Sequence, residues 1–284
     1  MLRVFSPAKI NLFLKISGKR MDGYHELSSL LQTINLGDTI DFEPSSQDQQ
    51  DILTCSDPLL ALDGTNLVIK AAQLFRRKTG VKLGLKIHLN KKIPVQAGLG
   101  GGSGNAATTL WAFNQIAGNI ASEKELQNWS GEIGSDIPFF FSQGTAHCSG
   151  RGELVQSLPD MSEEPCLIVK PQIGVSTPEA YKKLGLSSQT HLPSNPNFDL
   201  SSFFSHRRRF FNDLEKPVFE KSPQLKNLKE VLLECGFKTV LMAGSGSAFF
   251  CLGNGVMPLL TNVFIFSSRF LNRKSLKWYE NTNV

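Results

Sequence analysis

The amino-acid sequence predicts an α+β protein built as two domains, and three observations predict it. Residues that alternate apolar and polar mark strands early in the chain, a glycine-rich loop joins the clearest of those strands to a helix, and a second block of strands and helices closes around Gly244-Ser245-Gly246-Ser247. The chain's 284 residues exceed the roughly 100 to 200 of one domain. Two cores are therefore expected, with a boundary near residue 150 that gives units 1–150 and 151–284.

From Lys9 to Ile16 the side chains alternate, Ile10, Leu12, Leu14 and Ile16 on one face and Lys9, Asn11, Phe13 and Lys15 on the other, which predicts a half-buried strand. Asp22-Gly23 signals a turn, and Tyr24-His25 lead from it into an apolar stretch through Leu30, Leu31 and Ile34. Val68, Ala71, Ala72 and Phe75 have helical spacing within Asn66 to Thr79, and Gly80 stands where a helix stops. Val81, Leu83, Leu85, Ile87 and Leu89 then alternate with Lys82, Gly84, Lys86, His88 and Asn90, the clearest strand in the chain. The glycine loop from Pro94 to Gly104 follows, and a helix is expected over 105–113.

Ser122 with Glu125 makes a capping box for a short helix. Gly134-Ser135-Asp136-Ile137-Pro138 breaks the chain before Phe139-Phe140-Phe141, and Gly150-Arg151-Gly152 turns between two short strand-like runs. Beyond it, Cys166 to Lys170 reads as a strand, with Thr177-Pro178 as N-cap and first residue of a helix. Ser187 to Ser205, rich in Ser, Pro and Asn, reads as a loop. Ser222-Pro223 starts a helix carrying Leu225, Leu228, Leu232 and Cys235, stopped by Gly236. Val240 to Met242 and Ala248 to Leu252 are strands flanking the Gly-Ser loop. This second block suggests an α+β sandwich, and no internal repeat occurs.

Hydrophobic residues at 40% and charged residues at 19% supply a core and exclude wholesale disorder. Lys plus Arg number 30 against 25 for Asp plus Glu, a net +5 that favours anionic small molecules and is too diffuse to demand nucleic acid. The densest basic run, Arg207 to Arg209, reads as a solvated face. Five cysteines without a CxxC pair suggest neither zinc knuckle nor disulfide framework. Lysines interrupt the N-terminal apolar run before it reaches signal-peptide or membrane-span length, so a cytoplasmic protein is expected, with no membrane, nucleic-acid or obligate protein partner.

The glycine loop carries the strongest local chemistry. Glycines admit positive φ and close backbone approach, and the following helix points free N–H groups and a positive dipole end into the loop, so phosphate is the expected guest. No Lys-Ser or Lys-Thr ends the loop, which excludes a Walker-type P-loop. Gly102 to Ala107 fits the looser GxGxxA dinucleotide pattern, but the acidic residue that should grip a ribose falls near Glu123 and Glu125 in a capped helix.

Pro7-Ala8-Lys9-Ile10-Asn11-Leu12, Asp22-Gly23-Tyr24-His25, Pro94 through Ala107, Gly134-Ser135-Asp136-Ile137-Pro138 and Gly244-Ser245-Gly246-Ser247-Ala248 occur in an order that resembles the GHMP kinases across nearly the whole chain. The resemblance implies an N-terminal domain of a type also found in a ribosomal protein, a C-terminal ferredoxin-like α/β sandwich, and an ATP-dependent small-molecule kinase with Mg²⁺ entering as the nucleotide complex. The first two segments discriminate within the superfamily, implying an acceptor that is a cytidine-diphosphate-linked methylerythritol of the non-mevalonate isoprenoid route. By resemblance Lys9 and Asp136 are the catalytic pair. The nucleotide falls to Pro94, Val95, Gln96, Ala97, Gly98, Leu99, Gly100, Gly101, Gly102, Ser103, Gly104 and Asn66, with Lys92 beside the adenine by analogy. Asn11, Tyr24, His25, Thr177 and Tyr181 fall to the acceptor, and no residue is assigned to a metal.

Independent chemistry agrees with the resemblance. An aspartate can orient a hydroxyl and take its proton while an ammonium stabilises charge developing on oxygen. Taken alone, Lys9 on a strand reads as a solvated charge and Asp136 before Ile-Pro as a turn former; their motifs together reverse that. Asn11 shares a strand face with Lys9, and His25 offers a donor and an acceptor to a pyrimidine edge. Gln96 and Ala97 stand where relatives usually carry glycine, and Gly104 where they usually carry a second serine, leaving any hydroxyl role to Ser103. Asn212-Asp213-Leu214-Glu215 reads as structural support. A mevalonate or homoserine kinase would make His25 superfluous, and a non-enzymatic nucleic-acid binder would not need a complete phosphate loop.

Overall fold

The computed structural model describes residues 1–45, 50–186, 203, 210–256, 259–274 and 277–280. Strand β1 (Leu2–Lys19) and strand β2 (His25–Pro44) form one long antiparallel hairpin. Their turn is the predicted one: Gly23 takes a φ of +87° and the Asp22 carboxylate accepts the Tyr24 N–H at 3.1 Å. β2 is long enough to pair twice along its other edge, with β4 (Leu85–Asn90) near its end and with β5 (Thr145–Gly150) near its start. Strand β3 (Ile52–Cys55) adds in parallel to β4, β6 (Leu154–Ser157) adds to β5, and β8 (Phe211–Asn212) adds in parallel to β1, completing a seven-stranded sheet.

Helices α1 (Leu67–Thr79) and α2 (Gly101–Ile116) bury Leu74, Phe75, Leu110 and Phe113 with Val4, Ile40 and Phe42 of this sheet. Helix α3 (Glu123–Ser130) closes that layer, held at its start by the Ser122–Glu125 capping box. Asn66 caps α1 and Gly80 ends it at φ +72°.

A second sheet has the antiparallel order β11 (Val263–Arg269), β7 (Pro165–Pro171), β10 (Phe249–Leu252), β9 (Thr239–Met242). Period-two alternation splits its burial: Ile168, Leu241 and Phe250 pack with Ile10, Leu12 and Phe13 of β1, while Val169, Met242 and Phe249 pack with Val218, Leu225 and Leu232 of α5 (Glu215–Lys221) and α6 (Pro223–Glu234). The short helix α4 (Thr177–Lys182) follows β7. The chain crosses between the sheets over 158–164, and its tail returns to the first core through Leu271, Trp278 and Tyr279.

Several expectations change. β1 is buried on both faces from Val4 to Leu14, because α2 and the second sheet cover the sides that alternation alone leaves to water. Its alternation also slips: Asn11 pairs with Leu31 and Phe13 with Leu30, so Leu12 is an extra residue. This bulge keeps Phe13 in the core with Ile10 and Leu12 and turns Leu14 to the side of Lys9 and Asn11. β4 starts at Leu85, opposite Pro44, since β2 offers no partner to Val81 or Leu83. α2 starts at Gly101, inside the glycine run. The N-cap of α4 is Ser176, without a side-chain bond, because the Thr177 hydroxyl is taken by Ser245. Ser187 to Ser205, apart from Phe203, and Arg207 to Arg209 lie outside the described residues.

The Asn212–Glu215 segment does support the structure. Buried Asn212 donates to the Met242 and Gly244 carbonyls at 2.8 and 2.7 Å and accepts the Leu214 N–H at 2.9 Å, while Asp213 accepts the Ile16 N–H at 2.8 Å. Asn212→Ala removes its three bonds to the Met242 and Gly244 carbonyls and the Leu214 N–H and should lower unfolding free energy by roughly 1 to 3 kcal/mol in urea titration; a loss under about 0.5 kcal/mol, the low end for a net hydrogen bond, would show the ties to be dispensable.

Candidate active site

The site grows from β1. The Lys9 N–H donates to the Leu99 carbonyl at 2.9 Å, fastening the strand to the glycine loop, and its side chain is 4% exposed. The ammonium donates to Asn11 Oδ1 at 2.9 Å and lies 3.4 Å from Asp136 Oδ2. Asn11 cannot turn its amide around, since Nδ2 donates to Ser29 Oγ at 2.8 Å and that hydroxyl donates to the Phe13 carbonyl at 2.7 Å. Asp136 sits in the turn that precedes a 3₁₀ helix, Pro138–Phe141, and its carboxylate is 43% exposed to the cleft. A buried cation thus holds an accessible carboxylate.

Two glycine loops close around this pair. Gly98 and Gly100 take φ of +78° and +69°, and Gly100 caps α2 with no side chain to occupy the helix's free N–H groups. A Cβ on Gly100 would lie 2.8 Å from the Lys9 stem, and one on Gly98 or Gly246 would strike the backbone of the opposite loop. The Ala248 N–H donates to the Ala97 carbonyl at 3.2 Å across the same seam. Gln96 has the φ of +53° that glycine adopts freely, and its amide lies over Gly174, where a Cβ would meet it. At Gly104 a Cβ would come within 2.7 Å of the Pro7 carbonyl, so the missing serine is the condition for α2 to sit this close to β1.

On one side of the loop is a hollow of about 450 Å³ lined by Pro94 through Ser103, Leu60, Asn66 and Lys91. Asn66 is engaged as a cap, its Oδ1 accepting the Val68 N–H at 2.9 Å and its Nδ2 donating to the Ala61 carbonyl at 2.6 Å. Lys92 is exposed away from the hollow and only its N–H is used, donating to Asp38 at 2.7 Å. Lys91 takes that place: its ammonium lies 2.9 Å from fully buried Asp38 and also bonds the Ile93 carbonyl.

On the other side is a cleft of about 650 Å³ lined by Lys9, Asn11, Tyr24, His25, Asp136, Thr177 and Tyr181, all brought together from distant segments. Gly98, Gly100 and Ser103 line both spaces. The His25 and Tyr181 rings lie 5.0 Å apart at 36°, and the Arg151 guanidinium sits 4.8 Å over the Tyr24 ring. Thr177 and Ser245 hydroxyls bond at 2.7 Å. Burial, then the charge of Lys19, lowers the His25 pKa and keeps the ring neutral. Burial, then Asp136, raises Tyr181, and burial likewise holds Cys148 as a thiol. Sequence reasoning gave no site role to Ser29, Lys19, Lys91, Arg151 or Ser245; the Gly-Ser loop and the Gly150-Arg151-Gly152 turn held the signal for the last two, and strand register places Ser29.

This geometry has counterparts. The chain matches the GHMP kinases N terminal domain over residues 66–144 and the GHMP kinases C terminal domain over 197–255. The 4-diphosphocytidyl-2-C-methyl-D-erythritol kinase of Protochlamydia amoebophila is 57% identical over 278 residues, covering 98% of this chain and 93% of that protein. The chain belongs to the 4-diphosphocytidyl-2-C-methyl-D-erythritol kinase family of the GHMP kinases. Another member, the chloroplastic kinase of Arabidopsis thaliana, is 45% identical over 98% of this chain and 76% of its own length. A crystal structure of 4-(cytidine 5'-diphospho)-2C-methyl-D-erythritol kinase superposes with a TM-score of 0.77 at 30% identity, covering 95% of this chain and 99% of the other. Homoserine kinase from Cytophaga hutchinsonii, at 20% identity and a TM-score of 0.70 over 89% of this chain and 85% of its own, shares the fold. The two-domain GHMP kinase fold expected from the motifs is the fold found, and no helix among the described residues is long and apolar enough to cross a membrane.

His25 supplies a pH test. A lowered pKa means the folded ring resists protonation, so the unfolded chain binds that proton first and stability falls as pH drops through about 6.5 toward the folded value. NMR titration of the His25 ring should give a midpoint below that of a free histidine, and Lys19→Gln should raise it. A midpoint at or above the ordinary value would contradict the half-buried, Lys19-facing placement.

Proposed function

We propose that this chain transfers the γ-phosphoryl group of ATP to the 2-hydroxyl of 4-diphosphocytidyl-2-C-methyl-D-erythritol, the kinase step of the non-mevalonate isoprenoid pathway. The observation that carries the reading is the Lys9–Asp136 pair at the seam shared by the glycine-loop hollow and the aromatic cleft. A donor phosphate held at the loop and a hydroxyl held in the cleft would meet there.

In this reading the free N–H groups at Gly100 and the start of α2 hold the phosphates. Asp136 orients the acceptor hydroxyl and takes its proton. A carboxylate is a weak base for an alcohol, but a loose phosphoryl transition state defers proton removal, so position matters more than basicity. The Lys9 ammonium, fixed by Asn11, stabilises charge on the transferring oxygens. Tyr24 and Tyr181 flank the cytosine, a stacking worth about 1 to 3 kcal/mol per base, and neutral His25 reads its edge with one donor and one acceptor. Thr177 and Ser245 face the sugar and diphosphate.

Mg²⁺ would be carried in by ATP. Among the described residues no three His, Cys, Asp or Glu side chains cluster to hold a metal, whereas the Ser103 hydroxyl and Asp136 carboxylate are hard oxygen donors that suit a cation carried by phosphates. Bound there, Mg²⁺ supplies charge neutralisation on the phosphate oxygens. The first unit, near residues 1–150 with its sheet continued to Ser157, would bind ATP, and the second would contribute Thr177 and Tyr181 to the acceptor. Free cysteine thiols at all five positions suit a cytoplasmic setting.

The direct test is transfer of labelled γ-phosphate from ATP to the cytidine-linked diol, run beside mevalonate and homoserine. Label should reach the first acceptor; label on either of the others in its place would contradict the assignment. Asp136→Ala should lower turnover by about 10² to 10⁴ with nucleotide binding retained, and near-normal turnover would remove Asp136 from the mechanism. His25→Ala should weaken binding of a cytidine diphosphate ligand by roughly 1 to 3 kcal/mol while an ATP analogue binds as before. Equal losses for both ligands would make His25 a turn residue only.

A further inference from the structure

Residues 271–274 and 277–280 lie beyond both matched family spans, 66–144 and 197–255, yet Leu271, Trp278 and Tyr279 return to the first core and Arg273 binds the segments that carry the site. The Arg273 side chain is 2% exposed and all five of its N–H groups are used. Nε and Nη2 donate to the Ser142 and Phe141 carbonyls, each at 2.7 Å, and the fork grips Glu123 of α3 at 3.0 and 2.8 Å. The remaining bond, 2.7 Å to the Lys277 carbonyl, folds the tail on itself. Tyr279 adds a hydroxyl to Ser142 at 3.1 Å. Trp278 donates to the Thr108 hydroxyl of α2 at 3.2 Å and stacks on Trp111 with ring centres 5.4 Å apart.

Phe141 and Ser142 end the 3₁₀ helix that begins two residues after Asp136. Carbonyls at the end of so short a helix have no donors of their own, and a planar guanidinium can satisfy two of them and a carboxylate at once, which an ammonium cannot. The same helix presents Phe140, whose ring lies 3.2 and 3.3 Å from where Cβ atoms on Gly100 and Gly104 would stand. One tail therefore holds the Asp136 segment through Arg273 and the glycine-loop helix through Trp278.

We propose that this C-terminal segment is a strap that sets the spacing between Asp136 and the phosphate loop, with Arg273 as its principal positioning residue. The proposal rests on the role assigned to Asp136. Neither Arg273 nor Trp278 lines the cleft or the hollow, so each acts only through the segments it holds, and displacement of a reacting group by about 1 Å can cost on the order of 100-fold in rate.

The test is Arg273→Ala in the full chain, with active sites counted by titration with an ATP analogue. Turnover per site should fall by roughly 10- to 100-fold with both KM values little changed. Guanidinium ion at millimolar concentration should restore part of it, and amide exchange at Phe140 to Ser142 should quicken. If that variant fails to fold, Arg273→Lys, which lacks the fork, and Trp278→Phe, which loses the N–H to Thr108 and part of the ring stacked on Trp111, are read the same way and should each lower turnover per site with KM retained. Parent-like turnover per site in the folded variants, with only thermal stability lost, would overturn the strap and leave a structural tail; so would a drop in turnover that guanidinium leaves unrelieved in Arg273→Ala. Asp136→Ala, measured alongside, should be slow without rescue; if it turns over like the parent, it is the role of Asp136 that fails.

Discussion

A single buried ammonium organises this molecule. Removing a cation from water costs several kcal/mol unless charge and hydrogen bonds replace the lost solvent, and Lys9 is almost wholly enclosed. Its replacements come from separate places, Asn11 two residues along and Asp136 from the turn before the 3₁₀ helix, while the Leu99 carbonyl accepts its backbone N–H and fastens the strand to the glycine loop. The bulge at Leu12 belongs to the same solution. By turning Leu14 back toward Lys9 and Asn11 it keeps one side of β1 devoted to the cleft while Phe13 stays in the core.

Close backbone approach is the second constraint, and it follows from the first. The loops at 98–100 and 244–246 come from different sheets and meet where neither tolerates a side chain. Their contact joins the two halves of the protein at the point where a phosphate and a hydroxyl would be brought together, so the site and the domain junction are one structure. Gln96 departs from glycine at a left-handed φ, a conformation that costs a non-glycine residue roughly 1 kcal/mol or more, and the space left by Gly174 takes its amide.

Much of this was legible in the residues themselves. The hairpin turn at Asp22-Gly23, the stop of α1 at Gly80, the capping box of α3, the strand-loop-helix order around the glycines and the strands flanking Gly244-Ser245-Gly246-Ser247 are set by local rules of period and capping. What escaped depends on distant partners. β4 is shorter than its alternation because Pro44 ends the neighbouring strand, α2 begins earlier because Gly101 to Gly104 can be helical when packed on β1, and Thr177 leaves its capping place for Ser245. Lys91 carries no motif that sets it apart from Lys92; only Asp38, more than fifty residues upstream, chooses between them. The tail is silent in sequence for the same reason, since Glu123, Thr108 and the Phe141 and Ser142 carbonyls that it binds all lie more than a hundred residues upstream.

The central claim is that Lys9 and Asp136 act as one unit on the transferring phosphoryl group. A double-mutant cycle of Lys9→Met and Asp136→Asn, read as the single-turnover rate of γ-phosphoryl transfer from ATP to the cytidine-linked diol with both ligands saturating, tests it most directly. Groups that work together are strongly non-additive, so the double variant should be about as slow as the slower single variant. Losses that multiply, as for two independent residues, would contradict the account.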